Sequence, residues 1–293
     1  MATTKVSGEL VDLNEATSES GLKIPTGTNN NRPATDVAGM IRNNTNEASE
    51  GSASCEEYYN GAAWKKINNV AIPPIVGFKS VIYTGNGSTQ SITGLGFKPD
   101  FVWIKERTGT NPHALYDSVR GAGKIVSSND QSAQSGNSGD LLGSFDADGF
   151  QVNRQYLTNP NYDTTNGLSN LDYVGWAWKA NGGTTSSNTD GDITSTVQAN
   201  TEAGFSIVSW TSTSSSSDTI GHGLGSKPDV VLYKKRTASG SWFWYTDVID
   251  GSWDELVLND TSAKSDVAGT YATSTTFKSV TSSSGADWIT YCF

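Results

Sequence analysis

The chain repeats itself, and that repeat limits what it can fold into more than any other feature. Gly77-Phe-Lys-Ser-Val-Ile-Tyr-Thr84 matches Gly204-Phe-Ser-Ile-Val-Ser-Trp-Thr211. Downstream, Gly94-Leu-Gly-Phe-Lys-Pro-Asp100 matches Gly223-Leu-Gly-Ser-Lys-Pro-Asp229, and each is followed by an apolar run ending in basic residues, 101–108 and 230–237. Asn129-Asp-Gln-Ser-Ala133 matches Asn259-Asp-Thr-Ser-Ala263, and both copies close on an aromatic stretch, 173–178 and 288–293. Matches in the same order at so many points mark a duplicated unit.

The composition says what kind of unit it is. Hydrophobic residues make up 35% and charged residues 17% of the chain, and the remainder is dominated by Gly, Ser, Thr and Asn. Such a mixture favours short strands joined by tight turns, and apolar residues rarely recur at helical spacing. The fold class expected is all-β: two related antiparallel β-sandwich domains in tandem, preceded by an extended segment and a β-hairpin. The boundaries read as 1–70 for the N-terminal segment, 71–181 for the first sandwich, 182–203 for a linker with the first strand of the second copy, and 204–293 for the second sandwich. The runs 101–104 and 230–233 suit central strands buried on both sides. Alternation puts Val174, Trp176 and Trp178 on one face and Ile289, Tyr291 and Phe293 on the corresponding face of the second copy, and their size marks that face as core.

The N-terminal part differs. Its first 38 or so residues are polar, and the apolar side chains that follow, Met40, Ile41, Tyr58, Tyr59 and Trp64, are too few to close a core. Asn60-Gly61 between the tyrosines and Trp64 is a strong hairpin signal, because both turn residues need positive φ. A hairpin of this size is marginal alone. Those five side chains are therefore the candidate contacts through which residues 1–70 assemble with sister chains or another protein.

Charge and chemistry exclude several classes. A net charge of −10 repels phosphate backbones, so nucleic acid is not an expected partner. The basic run Lys234-Lys-Arg236 reads as a solvated strand end. No stretch approaches the roughly 20 apolar residues of a membrane span, and the N-terminus lacks an apolar leader, so the expectation is a soluble product of a cytosol. Two cysteines, Cys55 and Cys292, cannot build a disulfide framework or metal cluster, and Cys292 reads as a small core residue. The two histidines, His113 and His222, fall at unmatched positions of the copies. Gly221-His-Gly-Leu-Gly225 reads as a turn between strands, and Gly121-Ala-Gly-Lys124 lacks the rest of a phosphate-binding loop. Asp146, Asp148, Asp190 and Asp192 have a spacing that can hold calcium, but fit better as turn residues bonding their own backbone. No nucleophile, base, cofactor or metal site is expected, and the chain does not read as an enzyme.

The second copy, from Gly204-Phe-Ser-Ile-Val-Ser-Trp-Thr through Gly223-Leu-Gly-Ser-Lys-Pro-Asp229 to Tyr291-Cys-Phe293, resembles a domain family of unknown activity common in structural proteins of marine phages. The pattern Leu22-Lys-Ile-Pro-Thr-Gly, Arg32-Pro-Ala, Gly39-Met-Ile-Arg, Glu57-Tyr-Tyr-Asn-Gly-Ala-Ala-Trp64 is similar to segments near the start of phage tail-fibre and virion proteins. Two departures stand out: the stretch 45–56 is longer and more polar than the usual spacing, and the first-copy turn lacks the histidine of the second. The resemblance implies a virion component of a tailed phage, of tail-fibre or head-decoration type. It would be made in the host cytoplasm and released by lysis. It implies other virion proteins as partners, a homo-oligomer with a trimer favoured, and a host-surface glycan as a further candidate partner. The rival reading is a carbohydrate-binding, lectin-like module, for which Trp242, Trp244 and Trp253 are the candidate glycan contacts.

Overall fold

In a computed structural model the described residues are 26–27, 41–44, 55–59, 62 and 64–66, then 77–136, 141–153, 158, 171–279 and 283–293. The chain divides into two compact units, Met1–Pro74 and Ile75–Phe293. Every regular element among the described residues is a strand, so the protein is all-β.

The N-terminal unit holds a four-stranded sheet in the order β1 (Thr26–Gly27), β2 (Ile41–Asn44), β3 (Cys55–Tyr59), β4 (Trp64–Lys66). β1 runs parallel to β2, and the other pairs are antiparallel. Tyr59 stands opposite Trp64 and Ile41 opposite Tyr58, while the expected Asn60-Gly61 turn lies outside the described residues. Ile41 is exposed. Met40, and the side chains of Tyr58, Tyr59 and Trp64, lie outside what the structure describes.

The larger unit contains two main sheets. The first is β5 (Phe78–Thr84), β11 (Asp172–Trp178), β7 (Phe101–Glu106), β8 (Ala114–Asp117) in spatial order. The second runs β12 (Ser186–Asn188), β13 (Ser195–Asn200), β14 (Phe205–Thr211), β21 (Asp287–Cys292), β16 (Val230–Lys235), β17 (Trp242–Thr246), β18 (Asp254–Val257), β19 (Ser265–Asp266). Two smaller sheets cover them: β6 (Gln90–Thr93), β10 (Gly149–Val152) and β9 (Leu142–Asp146) over the first, and β15 (Thr219–Gly221) with β20 (Thr276–Lys278) over the second.

The matched sequences occupy matched places. The order β5-β11-β7-β8 is repeated by β14-β21-β16-β17, and each Lys-Pro-Asp turn leads into the third strand of its set. Even the irregular bridges correspond: Leu115↔Val126 and Ile125↔Ser135 stand where the second sheet pairs Trp244↔Leu256 and Glu255↔Ser265. The Gly-Leu-Gly turns explain themselves. Gly94, Gly96, Gly223 and Gly225 all have φ between 73° and 90°, a region costly for any residue with a Cβ.

Burial corrects several expectations. In β11 the fully buried face is Tyr173, Gly175 and Ala177, whereas Val174, Trp176 and Trp178 are only half-buried. Small residues hold the core face because the covering sheet brings its own ring: a Cβ on Gly175 would sit 3.2 Å from Phe150 Cζ. Chemistry on the strand therefore complements the layer above it, not the strand alone. In β21 both faces are buried, with Trp288 and Cys292 on one side and Ile289 and Tyr291 on the other. The second of those faces packs on Phe101, Leu115 and Val126 of the first copy, giving a core that both copies share. The copies are thus not separately closed sandwiches; residues Ile75–Phe293 form one compact body.

At the centre of that shared core sits an ion pair. Arg120 Nε donates to Asp117 Oδ2, Arg120 Nη2 donates to Leu115 O and to Tyr291 Oη at 3.1 and 3.2 Å, and Tyr291 Oη donates to Asp117 Oδ2 at 2.7 Å. Both charged side chains are fully buried. Burial pulls the Arg120 pKa down, but Asp117 and Tyr291 more than offset it, so the net shift is upward. The basic run is likewise not a solvated end: Lys234 is fully buried, its ammonium donating to Gly240 O at 2.5 Å. Burial drops its pKa to about 8.

Candidate functional site

The described surface is concave where the two copies meet. The opening residues of β5 and β14, Gly77-Phe78 and Gly204-Phe205, face the ends of the closing strands, Trp178 and Phe293, around a cavity of about 320 Å³. Its remaining walls are Ala203 and Asp229. The lining is built from matched pairs, because each copy contributes the start of its first strand and the end of its last. The rings lean on one another, with centroids 4.8 Å apart for Phe78 and Trp178, 5.7 Å for Trp178 and Phe293, and 5.0 Å for Phe205 and Phe293. Gly77, at φ +126°, is needed on two counts, since a Cβ there would lie 2.9 Å from Ala203 Cβ.

The two Pro-Asp turns have diverged in role. Asp100 is fully buried and accepts from Ala180 N and Gly182 N, each at 2.8 Å, and from Ser118 Oγ at 2.8 Å. Asp229 is exposed at the cleft, and its carboxylate takes no hydrogen bond or ion pair among the described residues. Of the eight lining side chains only that of Asp229 is a carboxylate. The cleft therefore offers aromatic faces and one acceptor group, which suits a ligand with an apolar face and a hydroxyl or cationic edge. It does not pair a nucleophile with a base.

Other polar groups are occupied by the fold. His222 is buried, accepting from Leu224 N at Nδ1 and meeting Thr273 O at Nε2, and burial lowers its pKa. His113 Nδ1 accepts from Trp103 Nε1 at 2.7 Å, and burial followed by Lys105 lowers its pKa. The Asp-x-Asp carboxylates do not bond their own turn backbone as expected: Asp148 and Asp192 reach distant segments, and Asp146 and Asp190 bond neighbouring side chains. Asp148 accepts from the amides of Gly94 and Gly96, Asp192 from Thr219 N and Oγ1, Asp146 from Ser144 Oγ, and Asp190 from Asn188 Nδ2.

A cluster absent from the sequence reading is Asp250, Asp254 and Asp266, whose nearest carboxylate oxygens lie within 4.8 Å of one another. Lys264 Nζ stands among them at 2.6, 2.7 and 2.9 Å. The lysine supplies the positive charge this arrangement requires. Its hydrogen bonds hold Asp250 and Asp266 below the usual carboxylate range. A depressed folded pKa adds stability above about pH 4 that is lost as pH falls further. Lys264→Met is therefore expected to lower the melting temperature at pH 7 and to lower it by less near pH 2, where the unfolded carboxylates are protonated and the folded ones are beginning to be. Thermal melts at the two pH values check this; an equal deficit at both would contradict it.

The candidate glycan tryptophans are not a surface platform. Trp242 is fully buried and donates from Nε1 to Ser127 O of the first copy at 2.6 Å, Trp253 is 6% exposed within the second copy's core, and Trp244 packs against the shared core. Alternation along β17 cannot show that both of its faces are covered. The cleft rings went unread because they come from four separate strand ends; the repeated Gly-Phe pair was the available signal.

A family model described as a domain of unknown function, DUF7483, matches residues 74–293 and spans both copies in one stretch. Comparison with curated proteins and with solved structures returns no match.

Proposed function

We propose that this chain, which belongs to the DUF7483 family, is a structural component of a tailed-phage particle and not an enzyme. It is a tail-fibre or capsid-decoration and adaptor protein, placed to contact the host surface. The single observation that supports this reading best is the shared core with its Asp117–Arg120–Tyr291 clamp. Two duplicated sheets fastened in this way form a stiff block. Stiffness suits a part that positions a surface, and the lining of the aromatic cleft it carries pairs no nucleophile with a base.

In this reading the N-terminal unit is the assembly device, with Met40, Ile41, Tyr58, Tyr59 and Trp64 as its contacts. Sister copies, with a trimer favoured, and other virion proteins are its partners. The protein then resides in the virion and leaves the host by lysis. Deleting residues 1–70 is expected to leave a folded, soluble product that no longer enters particles. Incorporation of the truncated protein at the normal level would overturn this division of labour.

A lectin-like adhesin is the second reading, and the aromatic cleft with its exposed Asp229 is what favours it. A glycan array separates the two. A saccharide signal abolished by Trp178→Ala would put the lectin reading first.

A further inference from the structure

The two copies differ at one edge. In the second sheet β14 is flanked by β13, with Gln198 opposite Ile207 and Thr196 opposite Ser209. The matching strand of the first sheet, β5, ends its sheet. Lys179 N donates to Gly77 O at 2.7 Å and Gly85 N to Leu171 O at 2.8 Å, so the odd residues of β5 bond to β11. Alternation then turns the N–H and C=O groups of Phe78, Ser80, Ile82 and Thr84 outward. Among the described residues those backbone groups have no partner.

The side chains on the same row are not those of a protected edge. Ile82 is 71% exposed and Phe78 37% exposed, whereas the position matching Ile82 in the second copy is Ser209. A seven-residue strand with an open ladder and large exposed apolar groups is a template for pairing. The row is also self-complementary. Antiparallel pairing about Ser80 sets Phe78 against Ile82 of the partner subunit and Ser80 against Ser80 of the partner subunit. Lys79 then meets Val81 of the partner subunit, so no like charges face each other.

We infer that β5 is a two-fold interface, through which a second copy of this chain joins its first sheet edge to edge into one eight-stranded sheet. The contact goes beyond the assembly proposed for residues 1–70 and does not depend on it. The test compares full-length proteins by light scattering after size exclusion. Ile82→Lys places a charge on the exposed row and is expected to halve the mass, whether the remaining particle is a monomer or a trimer. In a Cys55→Ser background, Ser80→Cys is expected to form a disulfide-linked dimer on mild oxidation, since directly opposed Cα atoms lie about 5.5 Å apart. Thr84→Cys, equally exposed but roughly 27 Å from its mate in this register, is expected not to cross-link. An unchanged mass for Ile82→Lys, or equal cross-linking at positions 80 and 84, would overturn the inference. So would strong hydrogen-exchange protection of the outward β5 amides in a protein that does not dimerise, which would mean that the chain covers this edge itself.

Discussion

Asp117→Ala is expected to destabilise the larger unit by about 3–5 kcal/mol, because it strands a buried guanidinium. For a body of this size that corresponds to a fall in melting temperature of roughly 6–20 °C. The Arg120 side chain is fully buried, and its Nη1 already has no hydrogen-bond partner. Removing the carboxylate takes away its counter-charge and one acceptor of the Tyr291 hydroxyl together. Tyr291→Phe, which deletes only a bond to the charged pair, should cost about 1.5–3 kcal/mol. Denaturant unfolding of both variants measures the order. Asp117→Ala within about 0.5 kcal/mol of wild type would mean that the clamp is not formed.

Trp242→Ala should be comparably severe, at about 3–5 kcal/mol, since it empties a closed site in the shared core. The ring is fully buried, stacks against Tyr291 at 6.5 Å between centroids, and is tied by its indole N–H to the other copy. Trp178→Ala supplies the contrast. Its ring is half-buried at the cleft, and truncation should cost roughly 1–2 kcal/mol. Equal losses at the two positions would contradict the burial described above and return Trp178 to the core.

The periodicities that survive in the chain are local, and what they revealed was local. The matched motifs disclosed the corresponding strands, the Gly-Leu-Gly turns and the buried runs around Val102 and Val231. Alternation also separated the two faces of β11 correctly. It could not say which face lay deeper, because that depends on Phe150 arriving from a different sheet. The same limit hid the roles of Lys234 and Trp242. Each sits near a strand end that is covered only when the first copy packs against it, and the Asp117–Tyr291 contact spans 174 positions. The cleft is the extreme case, since no two of its aromatic walls belong to the same strand.

The claim that this is a virion component is tested most directly by quantitative mass spectrometry of gradient-purified particles carrying the encoding genome. The account predicts peptides from this chain at a fixed ratio to the major particle proteins, retained after a high-salt wash. Recovery of the protein only from the soluble lysate, with none sedimenting with particles, would contradict it.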